Sequence, residues 1–190
     1  MKYNLLRTVL LSGLLPFIFL TKCSLSQIMI LRKLAEYQLW ADDNARELLG
    51  GHTEEEFSRD VLPPFGSIRS LAAHITMAIE YNLKNRVEKV EFDPEELGEM
   101  IYTAPKDRLL KLWREADLRL LEFAGTKSEE EYVFRNFLGE GEIALDQSDY
   151  LSQYLLHSQH HRAQIMSALR LMGKEARTTD YLFYLSDLAR

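Results

Sequence analysis

Four stretches of this chain repeat apolar residues at steps of three and four, and each is bounded by turn or cap signals. The first covers residues 28–49, with Leu31, Leu34, Tyr37, Trp40/Ala41 and Leu48 on one face, and stops at Gly50-Gly51. The second opens at Ser67, a good N-cap after Pro63-Pro64-Phe65-Gly66. It carries Ile68, Leu71, Ile75, Ala78/Ile79 and Leu83 and gives way near Val90 to an acidic connector over residues 91–100. The third begins at Thr103-Ala104-Pro105, a cap followed by proline, and continues through Leu109, Leu112/Trp113, Ala116, Leu120 and Phe123 to Gly125. The fourth spans residues 146–172 and stops at Gly173. Four amphipathic helices of this length predict an all-α fold, a four-helix bundle. The long loops after the second and third helices allow a crossover connection.

Between the third and fourth helices, Tyr132, Phe134 and Phe137 alternate, Gly139-Glu140-Gly141 turns the chain, and Ile143 and Leu145 follow. This predicts a short β-hairpin or an irregular excursion. The string Gly139–Ala144 also fits a loose G-x-G-x-x-A phosphate fingerprint. Two glutamates beside a pyrophosphate would repel it, and no strand-to-helix transition frames the string, so it is read as a turn. The tail, with Tyr181, Leu182, Tyr184 and Leu185, predicts a short helix on the bundle.

The 190 residues are 46% hydrophobic and 27% charged, the balance of one globular domain rather than a disordered chain. One cysteine, Cys23, excludes an internal disulfide framework and Cys-rich zinc sites. A net charge of -6 lacks the basic footprint of a nucleic-acid binder, so no nucleic-acid partner is expected.

Residues 1–26 stand apart. Lys2 and Arg7 precede an apolar run from Thr8 to Leu20, and Ser24 and Ser26 follow, the order of a secretory signal. The run holds Gly13 and Pro16 and is too short for a stable membrane span. Lys22 disfavours a lipid-modified Cys23. The alternative is an upstream start, with translation beginning near Met29 and the domain covering residues 27–190. The first reading exports the protein; the second leaves it in the cytoplasm.

Five histidines occur: His52, His74, His157, His160 and His161. His157 and His161 lie four apart on the fourth helix, in a stripe that reads Tyr150, Tyr154, His157, His161, Ile165, Ala168 and Met172. The second helix offers Leu71, His74, Ala78 and Tyr81, so a third imidazole can face the same interior. A buried imidazole without a partner costs roughly 1–3 kcal/mol. Three outcomes remain open from the residues alone: a metal site, core histidines satisfied by hydrogen bonds, or a partly exposed pair. As ligands, three neutral imidazoles leave one position open on tetrahedral Zn²⁺ and more on octahedral Ni²⁺ or Fe²⁺. His52 reads as a loop residue and His160 as solvent-facing. Ser158 after His157 removes the H-E-x-x-H zinc-protease pattern, and no histidine has glutamate three residues before it, as a di-iron bundle requires.

The sequence resembles the DinB/YfiT-like family of metal-binding bundle proteins. The resemblance rests on Tyr37-Gln38-Leu39-Trp40-Ala41, on Phe65-Gly66-Ser67-Ile68 followed by His74, and on His157-Ser158-Gln159-His160-His161-Arg162-Ala163-Gln164-Ile165, similar to H-x-x-x-H-R-G-Q-I. Asp180-Tyr181 and Tyr184-Leu185 complete it. Ala163 departs from the usual glycine, and the leader lies outside the family's domain. The resemblance implies a bundle with a crossed connection, a divalent metal (Zn, Ni or Fe) on His74, His157 and His161, and a homodimer.

It further implies a metal-dependent transferase that joins a low-molecular-weight thiol to an electrophile. A metal-dependent hydrolase and a non-catalytic ligand-binding or stress module are the alternatives. Tyr154 and Gln164, on the same stripe as His157, are candidates to line the substrate pocket. Tyr37 and Trp40 of the first helix are further candidates.

Overall fold

A computed structural model describes residues 25–63 and 66–190. Helix α1 (Leu25–Gly50) leads to a short helix α2 (Glu54–Ser58) and the two-stranded ribbon β1 (Asp60–Leu62) and β2 (Gly66–Ser67). Helix α3 (Ile68–Asn82) runs on into a π-helical turn, Leu83–Glu88, before α4 (Pro94–Tyr102) and α5 (Lys106–Ala124). Strands β3 (Tyr132–Arg135) and β4 (Glu142–Leu145), helix α6 (Gln147–Leu171) and helix α7 (Tyr181–Leu188) complete the chain. The leader expectation falls outside the described residues except for Leu25 and Ser26, which begin α1. Phe65 also lies outside them.

The four long helices pack in the cyclic order α1–α5–α3–α6. Only one of the three links between consecutive long helices, α3 to α5, therefore joins neighbours. The other two cross the bundle: α2 and the β1–β2 ribbon carry the first crossing, and the antiparallel β3–β4 hairpin carries the second. The crossing after the third long helix is one that the loop lengths allow; the other falls in the first link rather than after the second long helix, where the long connection holding α4 joins neighbours. Its core holds Trp113, Leu109 and Leu120 of α5, Ile75 and Ile79 of α3, Tyr150 and Ile165 of α6, and Leu49 of α1.

Local chemistry sets the element ends. Ser67 Oγ accepts the Ser70 amide at 3.1 Å and starts α3, and Asp146 Oδ1 accepts the Ser148 and Asp149 amides at 2.8 and 2.9 Å and starts α6. Gly173, at φ 68°, ends α6 in the left-handed conformation that glycine adopts without steric cost.

Three departures from the sequence reading have local causes. The acidic connector contains α4, because Asp93 caps the Glu95 amide at 2.8 Å and Pro94 fits the first turn. Thr103 ends that helix, its amide donating to Glu99 at 3.0 Å, rather than capping the third long helix, which starts at Lys106. The stretch after Gly51 folds into α2 through a reciprocal capping box between Thr53 and Glu56.

The hairpin buries Tyr132 and Phe134 but leaves Phe137 83% exposed in its loop, where Gly141 at φ 84° makes the turn. Among the described residues no helix is long and apolar enough to cross a membrane.

Candidate metal centre

The fourth long helix supplies two imidazoles from one face, and α3 supplies the third across the α3–α6 interface. His74, His157 and His161 each present a ring nitrogen, and these atoms all lie within 4.8 Å of one another. Ring centroids are 4.9 Å apart for His74 and His157, 4.7 Å for His74 and His161, and 4.5 Å for His157 and His161. Such a group of nitrogen donors from two rigid helices has the size a single cation needs.

The tautomers and the protonation states favour a cation as well. Gln164 Oε1 sits 2.7 Å from His161 Nδ1, and an amide oxygen can only accept, so Nδ1 carries the proton and the Nε2 lone pair is free. The Gln164 amide nitrogen approaches His160 Nε2 at 3.1 Å, which fixes the side chain in that orientation. His157 Nε2 is buried with no hydrogen-bond partner among the described residues. Burial and the neighbouring His161, His74 and His160 rings push the His157 pKa down to about 4. Burial also lowers His74 and His161. All three rings are therefore neutral at pH 7 and can offer lone pairs. An orphaned buried nitrogen beside two further imidazoles fits the chemistry of a divalent cation of borderline softness.

His161 is 9% exposed, while His157 and His74 open onto a pocket of about 360 Å³. His74 thus sits at the rim of the core rather than in the interior that its stripe suggests. The reason is local: Ala78 and Tyr81, which follow it on that stripe, line the pocket too. The hairpin forms the facing wall with Phe134, Phe137, Ile143 and Leu145, and Arg86 stands on the π-helical turn.

Tyr154 lines this pocket and also packs on Tyr150, with ring centroids 4.8 Å apart. Gln164 acts from behind His161 and does not line the pocket wall. Tyr37 and Trp40 lie elsewhere. Tyr37 Oη donates to Thr179 O at 2.7 Å and Trp40 Nε1 to Asp187 Oδ2 at 3.0 Å, and both rings pack on Tyr184, so they dock α7. His52 lies in the turn before α2, 3.4 Å from Glu56, and His160 is exposed.

Sequence reasoning missed the hairpin wall and Arg86. Phe134 and Ile143 were legible as strand residues, but only the crossed connection brings them over the histidines. It also missed a buried polar array beside the site. Arg162 Nη1 donates to Asp42 Oδ1 at 2.5 Å and to Gln38 Oε1 at 3.1 Å, and Arg46 Nη1 donates to Asp117 Oδ2 at 2.6 Å. The signal was present in α1, where Gln38, Asp42 and Arg46 occupy core steps between Ala35 and Leu49.

Comparison with known proteins agrees with the architecture. The structure is similar to that of YfiT from Bacillus subtilis, with a TM-score of 0.58 and 20% identity over 82% of this chain and 93% of that one. YfiT is described as a probable metal-dependent hydrolase with an unusual four-helix bundle topology. Among curated proteins none matches the chain. The DinB family matches residues 24–188, which span every element described above, and the chain belongs to that family.

Proposed function

We propose that His74, His157 and His161 hold a divalent cation and that the protein is a metal-dependent transferase acting with a low-molecular-weight thiol. One observation carries this reading: three neutral imidazoles converge beside a mostly apolar pocket, and one of them has a buried, unpartnered nitrogen. A divalent cation of the Zn, Ni or Fe type would lower the pKa of a thiol or water at its open position, supplying an anionic nucleophile at neutral pH.

The chain's own residues have separable roles in this reading. Gln164 holds His161 in the tautomer that frees Nε2. Burial raises the Tyr154 phenol well above its usual range, so it keeps its proton and can donate to an oxyanion on a bound substrate. The hairpin face that lines the pocket is apolar, which disfavours water beside a bound thiol.

Hydrolysis is the second reading, favoured by the description of YfiT. A hydrolase of this kind benefits from a carboxylate that takes a proton from water, and the residues lining the pocket include none. The two readings separate in one assay. Metal-loaded protein is given an aryl ester and an aryl halide electrophile, each with and without a small thiol. The transferase reading expects thioether formation that requires thiol and is lost in His161→Ala; ester cleavage of equal rate without thiol would contradict it.

A further inference from the structure

We propose that the pocket admits a molecule with an apolar body and a carboxylate, the carboxylate taken by Arg86 and the body lying along the hairpin. In the reaction proposed above this molecule is the electrophile; that role rests on the metal-enzyme reading, whereas its binding does not.

The charge pattern is the first support. The chain is acidic, at -6, yet the pocket wall contains one arginine and no aspartate or glutamate. Arg86 has no ion-pair partner among the described residues. Arg119, by contrast, is paired with both Glu80 and Glu88.

Arg86 is also held in place. Its Cζ lies 4.0 Å from the centroid of the Phe134 ring, its Nε donates to Asn82 Oδ1 at 3.0 Å, and its Nη1 donates to Val133 O. These contacts orient the guanidinium without neutralising it, and an oriented guanidinium fork can meet a carboxylate with two parallel N–H donors. The backbone beneath it is the π-helical turn Leu83–Glu88, a rare geometry that is frequent at functional sites. Phe134, Ile143 and Leu145 beside it present apolar surface that suits an aryl or alkyl body.

The probes are 4-phenylbutyrate and 4-phenylbutan-1-ol, which share a body and differ in the anion. Calorimetric titration of metal-loaded and chelator-treated protein is expected to show the acid binding about tenfold tighter than the alcohol in both forms. Arg86→Gln should abolish that gap, and Arg86→Lys should keep part of it, with the melting temperature of both variants checked against wild type. Equal binding of the two probes, no binding of either, or a gap that survives Arg86→Gln would overturn the proposal. A gap seen only in metal-loaded protein would also overturn it, placing the carboxylate on the cation while leaving the metal reading intact. An Arg86-dependent preference shown by 3-mercaptopropionate but not by 4-phenylbutyrate would assign the anion to the thiol and likewise overturn it.

Discussion

Arg162 Nη1 meets Asp42 Oδ1 at 2.5 Å with the two side chains 1% and 0% exposed, which ties α6 to α1 one residue after the histidine His161. The Asp42 carboxylate also accepts from Gln38 at 2.6 Å and from the Trp113 indole at 3.2 Å, so four side chains from three helices share one buried charge pair. Arg162 Nε reaches Thr179 Oγ1 at 3.3 Å, extending the array to the segment before α7. A buried pair of this kind adds little net stability compared with an apolar pair, but losing one partner strands the other charge.

Arg162→Met should therefore destabilise the fold by about 3–5 kcal/mol, because Asp42 stays buried without its cation. Adding Asp42→Leu to that variant should recover part of the loss. Chemical denaturation of the two variants checks this; a single variant within about 1 kcal/mol of wild type would mean the pair is not stranded by the substitution.

Gln164 is expected to matter through His161 alone. Gln164→Ala removes the acceptor that fixes the ring, and metal affinity should fall about 10–100-fold with the fold intact. Gln164→Glu keeps an acceptor at that position and should retain most of the affinity. Competition against a chromogenic chelator measures both, and unchanged affinity in Gln164→Ala would remove the proposed orienting role.

Acid should destabilise the metal-free protein through His157. The unfolded chain takes up a proton there near the ordinary value of about 6.5, whereas the folded chain resists until about 4. Between these values the unfolded state binds more protons, so stability is full above the upper value and falls as pH drops through the window. Urea unfolding at several pH values between these limits should show a shallower slope for His157→Leu than for wild type. Identical slopes would show that His157 is not held neutral.

Much of this architecture is legible in the residues because its signals are local. Ser67, Asp146, Gly125 and Gly173 mark helix ends through hydrogen bonds or backbone freedom of their own. His157 and His161 share a face through helix geometry alone. Other features depend on contacts between segments remote in sequence. The β3–β4 hairpin that forms a pocket wall lies in the link from α5 to α6 that crosses the bundle, and Arg86 of the π-helical turn meets Phe134 of that hairpin. Asp42 and Arg46 carry charge at core steps, and nothing near them in sequence identifies Arg162 and Asp117 as partners. Tyr37 and Trp40 show the limit of stripe reasoning: their rings lie on an α1 face covered by α7 and do not line the pocket beside the histidines.

Metal content tests the central claim most directly. Elemental analysis of untagged protein, beside His74→Ala and His161→Ala, should find about one divalent cation per chain in wild type and loss in both variants. Absence of metal in wild type after reconstitution, or full retention in both variants, would contradict the three-histidine site and leave these imidazoles as part of a binding bundle.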